Sequence, residues 1–359
     1  MPAVSLGDLV PLPDLMTTCG AGVGMAVCPA LGLVVTSNSH NDTLSVFALP
    51  QSICATSRNG KGLALVCTLG GASSPAPMQF KFVSGNSHSG RMAFTGPATS
   101  PLLLLTDAGH DAVHVIDVAG QAHVGYVAAP GAIVGPRGVA TRGSLPGLPG
   151  SLVAISAWKG EDSDDHVVRL FAGGGTRWTA VRVVAGGFGG PGSAAGQLRA
   201  PYGLRFSGDG IGLAVADAGN GRVSVFRVED GSFVRHIATG LSRPYDVEEY
   251  EGGWLVACRD SHTIEFVGRG FHCGGVGGAR LVKRGKGGLG HGDLMLPTAL
   301  ALVQGLALVV REYGSVRLQF FATPGAIAMS SMSAARVGWM VAVARGAAHR
   351  ASSEAWLGC

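Results

Sequence analysis

Chemistry in this 359-residue chain has to come from a few groups of side chains: eleven histidines, seven cysteines, two glycine-rich loops, one acidic run and one basic cluster. The loops Gly187, Gly189, Gly192 and Gly285, Gly287, Gly290 both match G-x-G-x-x-G. A dinucleotide site needs that motif after a strand and at the start of a helix, with an acidic residue about 20 positions on. Here each loop leads instead to a proline, Pro201 or Pro297, that opens an apolar strand pattern. Lys286 is not followed by Ser or Thr, so the phosphate-cradling P-loop also fails.

No G-x-S-x-G elbow and no H-E-x-x-H pair occurs. The cysteines, at 19, 28, 54, 67, 258, 273 and 359, are odd in number and form no C-x-x-C, which points to reduced, buried thiols and away from a zinc module. Glu161, Asp162, Asp164 and Asp165 lack the spacing of an EF-hand loop and read as a solvated turn. Arg280, Lys283, Arg284 and Lys286 form the basic cluster, in a chain whose net charge is only +4. No cofactor and no metal is expected.

The elements that must position these groups are short strands. Hydrophobic residues make up 47% of the chain, charged ones only 14%, and there are 58 glycines, a composition suited to many apolar strands joined by turns. The clearest unit runs from Gly186 to Ile237: a Gly-rich lead, then YGLRF, GLAVAD, RVSVF and SFVRHI, separated by the turns SGDG, AGNG and VEDG. The same order recurs from Pro136 to Phe171, from Pro244 to Gly268 and from Pro297 to Phe321, and in weaker form from Met25 to Leu49 and from Met92 to Asp117. Each copy is an antiparallel meander. A four-stranded sheet cannot bury both faces alone, so six copies predict a closed ring: an all-β, six-bladed β-propeller of four-stranded antiparallel blades.

The spacing Asp217-x-x-Asn220 followed by Arg222, together with Gln197, the strand start at Pro201 and the Asp230-Gly231 turn, resembles the NHL-repeat family of propellers, as found in TRIM-NHL-type proteins. Asp107 with His110 keeps the spacing with His in place of Asn, and Asp260 and Glu312 keep the acidic end of the second strand. Physically the motif reads as a turn lock: Asn220 is expected at positive φ in a tight hairpin, and Asp217 is expected to accept the amides of that turn. His40, His110, His166 and His262 fall at the corresponding turns and read as separate turn residues, not as one metal site.

Residues 16–322 are assigned to the propeller, 1–15 to a segment that could supply a closing strand, and 323–359 to an extension that could supply one instead, through Val337 to Ala344, or form a short helix. The resemblance implies a non-catalytic scaffold that holds a protein or peptide on one face, including partners of ubiquitin-ligase assemblies. Arg137, Arg199, Tyr202, Arg243, Tyr245, Arg259, Arg311 and Tyr313 are expected to gather on the face carrying the loops between blades. Two alternatives stay open: an enzyme of the amidating-lyase or lactonase type, and a propeller binding single-stranded RNA through the arginines and stacking tyrosines. The strand starts Pro136-Arg137, Pro201-Tyr202, Pro244-Tyr245-Asp246 and Pro297-Thr298 carry no His, and Asp246 is their one carboxylate. The most apolar stretch, Met295 to Val310, is broken by Pro297, Gln304 and Gly305 and reads as two strands around a turn, not a membrane span. With no basic leader before the first apolar residues, a cytoplasmic location is expected.

Overall fold

The computed structural model describes residues 9–49, 62–82, 89–143, 150–160, 165–187, 190–268, 282–284, 287–303 and 307–323. The acidic residues Glu161, Asp162 and Asp164, and the segment 337–344, lie outside them. Six antiparallel sheets form, five with strands in simple sequence order, and each predicted copy makes one sheet. The innermost strands are Met25–Cys28, Met92–Thr95, Pro136–Arg142, Pro201–Phe206, Pro244–Tyr250 and Pro297–Val303, and they define blades 1 to 6. Blade 6 is completed by the N-terminus: Val10 pairs with Ala322 and Thr17 with Leu318, so the ring closes on strands from the opposite end of the described chain.

The second strands are largely apolar and buried along most of their length, most clearly Leu102–Asp107 and Gly212–Asp217. Such runs suit strands covered on both faces, because every blade is sandwiched between two others. One apolar layer fills each junction. Phe206, Leu213, Val215 and Phe226 of blade 4 pack on Leu152, Val168 and Leu170 of blade 3, for example, and Tyr250, Leu255 and Ile264 of blade 5 on Leu300, Leu308 and Phe321 of blade 6. Helical structure among the described residues is limited to the single 3-10 turns Pro13–Leu15 and Ala218–Asn220. No helix there is long and apolar enough to cross a membrane.

All six inner strands run in the same direction along the ring axis. Loops between blades and the turns after second strands therefore lie at one end, called here the front face, and the other turns lie at the back face.

Candidate functional site

At the front end the channel is filled by side chains from the inner strands and their surroundings. Tyr202 stacks on Tyr245 with ring centroids 4.2 Å apart and planes 18° from parallel. Trp158 meets Tyr202 edge-on at 5.6 Å, and the Arg137 guanidinium lies 5.0 Å from the Trp158 ring while its Nε donates to the Trp158 carbonyl. Val23 and Ala218 are the other buried members of the cluster. Burial pushes the Tyr202 phenol well above its ordinary range, with Tyr245 adding to the shift.

This corrects the expected contact face. Tyr202, Tyr245 and Arg311 are wholly buried and Arg137 is 2% exposed, so none of the four presents a side chain to a partner. The tyrosines are likewise closed to stacking nucleobases. The cause is crowding: a Cβ at Gly138 would collide with the Tyr202 carbonyl, so inner strands approach until the side chains at their starts interlock over the axis. Arg311 is spent internally, donating to the carbonyls of Cys19, Gly20 and Ser37 across the junction with blade 1.

The remaining four do stand on the front face. Arg199 is exposed, and Arg243, Arg259 and Tyr313 are partly so. Arg259 joins them to the hub: its guanidinium lies 5.3 Å from the Tyr245 ring and 5.9 Å from the Tyr313 ring, and its Nη1 donates to Asp260 at 2.8 Å. Arg243 stands 3.8 Å from the same carboxylate.

Around the turn from Asp217 to Arg222 the bonding differs from expectation. Asp217 is fully buried and accepts the Arg199 amide at 2.7 Å, the Asn220 side-chain amide at 2.8 Å and the Arg222 Nε at 2.7 Å. Its backbone N–H partner is thus in the loop arriving from blade 3, not in its own turn. Arg222 and Asn220 reach the same loop, through the carbonyls of Ser193, Gln197 and Gly192. Asn220 lies in a right-handed turn, and the left-handed position falls to Gly221 at φ 59°. The residues aligned with Gly221, namely Asp42, Asp111, His262 and Val316, also have positive φ, from 50° to 58°. His166 occupies the aligned place in blade 3. These side chains cap the next blade: Asp42 accepts the Phe82 amide, Asp111 that of Gly135, His166 that of Ala200 and His262 that of Leu296.

Blade 6 repeats the lock with Glu312, which accepts the Met295 amide and bonds Ser315 and Arg317. In blade 2, burial opposes ionisation of Asp107, but donation from His114, His110 and the Lys81 amide outweighs it and lowers the pKa. Asp260 is not part of this set. Strand pairing puts Cys258 at the end of the second strand, opposite Thr263, and leaves Asp260 exposed in the turn. Of the basic cluster, Lys283 and Arg284 lie on the outermost strand of blade 5, far from the axis, while Arg280 and Lys286 fall outside the described residues.

A feature that sequence reasoning missed occupies the back half of the channel. A cavity of about 190 Å³ is lined by all six inner strands, with Arg91 and Asp246 at its floor and Arg205 and Glu248 on its wall. Arg91 reaches across the ring from blade 2 to the opposing blade 5, with Nη1 3.3 Å from Asp246, and its Nη2 donates to the carbonyls of Tyr245 and Thr298. Among the described residues no three His, Cys, Asp or Glu side chains stand together as a metal site.

No protein-family model matches the sequence, and no curated protein matches it. Similarity to solved structures is one of fold. A gluconolactonase from Xanthomonas campestris is 13% identical over 88% of this chain and 89% of its own, with a TM-score of 0.50. A chain of a nidogen/laminin complex is 16% identical over 68% of this chain and 75% of its own, with a TM-score of 0.46.

Proposed function

We propose that the chain is a non-catalytic, NHL-like propeller that holds a protein or peptide on its front face, with Arg199, Arg243, Arg259 and Tyr313 as the contact set. The observation that carries this reading is Arg259, held between the rings of Tyr245 and Tyr313 and tied to Asp260. An arginine and a tyrosine already fixed on a rigid, sealed hub lose little freedom when a partner covers them, and such residues dominate binding energy at interfaces. The NHL resemblance favours a cytoplasmic partner selected for an assembly such as a ubiquitin ligase. These 359 residues carry no RING-like Cys/His pattern, and the part this reading gives them in such an assembly is recognition.

The test compares wild type with the double variant Arg243→Ala, Tyr313→Ala and with the back-face control Ile211→Asp, each immobilised and exposed to extract of the native cell. A partner retained by wild type and by the control, and lost from the double variant at an unchanged melting temperature, supports the front face. Equal retention by all three overturns it.

A further inference from the structure

The back-face cavity owes its existence to two rings of aligned positions. In the ring nearer the hub stand Gly24, Arg91, Gly138, Gly203, Asp246 and Ala299; two residues further along stand Ala26, Ala93, Ala140, Arg205, Glu248 and Ala301. Four members of each ring are Gly or Ala, which leaves the axis open, and the other two form an ion pair. The inner pair is closed, since Arg91 is buried, Asp246 is only partly exposed, and Asp246 also accepts the Leu300 amide at 2.9 Å.

The outer pair is unequal. Arg205 Nη2 lies 2.9 Å from Glu248 Oε1, yet the Glu248 side chain is 5% exposed and that of Arg205 is 51% exposed. Glu248 is fixed in the wall, whereas Arg205 is an arm that water can reclaim. A cation entering the cavity releases the exposed Arg205 to solvent while giving Glu248 a new counter-ion, so the buried carboxylate stays paired throughout the exchange. An anion drawing Arg205 away would instead strip a buried carboxylate of its counter-ion, a far larger penalty.

We infer that the back mouth of the channel is a binding pocket for an ammonium or guanidinium group, with Glu248 as its counter-ion and Arg205 as the resident cation it displaces. The group belongs either to a small free amine or to a Lys or Arg side chain presented by a partner. The pocket lies on the face opposite the proposed protein contact and does not depend on it.

Calorimetric titration with butylammonium, methylguanidinium, a capped Ala-Lys-Ala peptide and butyrate tests the assignment. Cationic probes should bind and butyrate should not; tighter binding of the peptide than of butylammonium assigns the pocket to a partner's side chain, the reverse to a free amine. Arg205→Ala should tighten cation binding about twofold to fivefold by removing the competitor, and Glu248→Gln should weaken it about tenfold or more. Burial, with repulsion from Asp246 and Glu249 on the same strand, pushes Glu248 up to about 7 against the opposing pull of Arg205. Arg91 lines the same cavity from blade 2, paired with Asp246, and blade 6 contributes only the apolar Leu300, Ala301 and Leu302. Cation binding to wild type should therefore strengthen as pH rises through about 7, a readout that stands even if Glu248→Gln fails to fold. Preference for butyrate, weaker cation binding by Arg205→Ala, or no cation binding by either wild type or Arg205→Ala overturns the inference.

Discussion

The rings of Tyr202 and Tyr245 stack 4.2 Å apart over the axis of the propeller, joining blades 4 and 5 and closing the channel at the front. Because both are wholly buried, their contribution is to the hub itself. Tyr202→Ala should cost about 3 to 5 kcal/mol, the range for removing a large buried aromatic side chain. Tyr202→Phe should cost only about 1 kcal/mol, the worth of a hydrogen-bonding hydroxyl. Urea unfolding measures both, and similar small losses for the two variants would mean that the stack does not hold the blades together.

Two aspartates near the ends of second strands should respond very differently. Asp217→Ala leaves the buried Arg222 guanidinium without its counter-ion and should cost about 3 to 5 kcal/mol. Asp260→Ala removes an exposed carboxylate and should stay within about 0.5 kcal/mol. Matched denaturation curves decide this, and equal effects would place Asp260 back in the turn lock.

The fold was legible because its signals are local and repeated: apolar second strands, turn residues at fixed offsets, and a proline at the start of four of the six inner strands. Asp217, Asn220 and Arg222 were legible as a unit for the same reason. Their principal partners were not, since the Arg199 amide and the Ser193 and Gln197 carbonyls lie some 18 to 29 residues upstream in a loop of irregular length. The mistake over Asp260 was one of register, because only strand pairing shows Cys258 opposite Thr263.

The direction of Tyr202 and Tyr245 was hidden for a different reason. Nothing in a single blade says how closely its inner strand approaches the next, and that approach decides whether a side chain at the strand start seals the axis or faces outward. The back cavity had a faint signal, the alanines at 26, 93, 140 and 301 against Arg205 and Glu248, but it emerges only after the six blades are aligned residue by residue.

Ala200, just before Pro201, is held at φ 47° by the His166 side chain, which accepts its amide at 2.7 Å. A left-handed backbone costs a non-glycine residue roughly 1 to 2 kcal/mol, while glycine there loses part of that gain to unfolded-chain entropy. Ala200→Gly should therefore leave stability unchanged or raise it by up to about 1 kcal/mol. A raised or unchanged melting temperature agrees with strain at this position, and a fall of several degrees would show that the methyl group contributes packing that outweighs it.

Glu248 should make the protein's stability depend on pH in the sense opposite to most carboxylates. In the folded chain burial lifts its pKa from 4.5 to about 7, with Arg205 too exposed to hold it down. Between those values the folded state keeps a proton that the unfolded state has lost, so the group's contribution to stability is complete below about pH 4.5 and declines as pH rises through about 7. The shift corresponds to a decline of roughly 3 kcal/mol at most. Gln at this position cannot titrate and should remove that component. The stability of Glu248→Gln relative to wild type should therefore rise between about pH 5 and about pH 8, measured as paired urea midpoints. A constant difference across that range would mean that Glu248 ionises normally in the folded chain, and the sealed wall beside Arg205 would have to be redrawn as open to water.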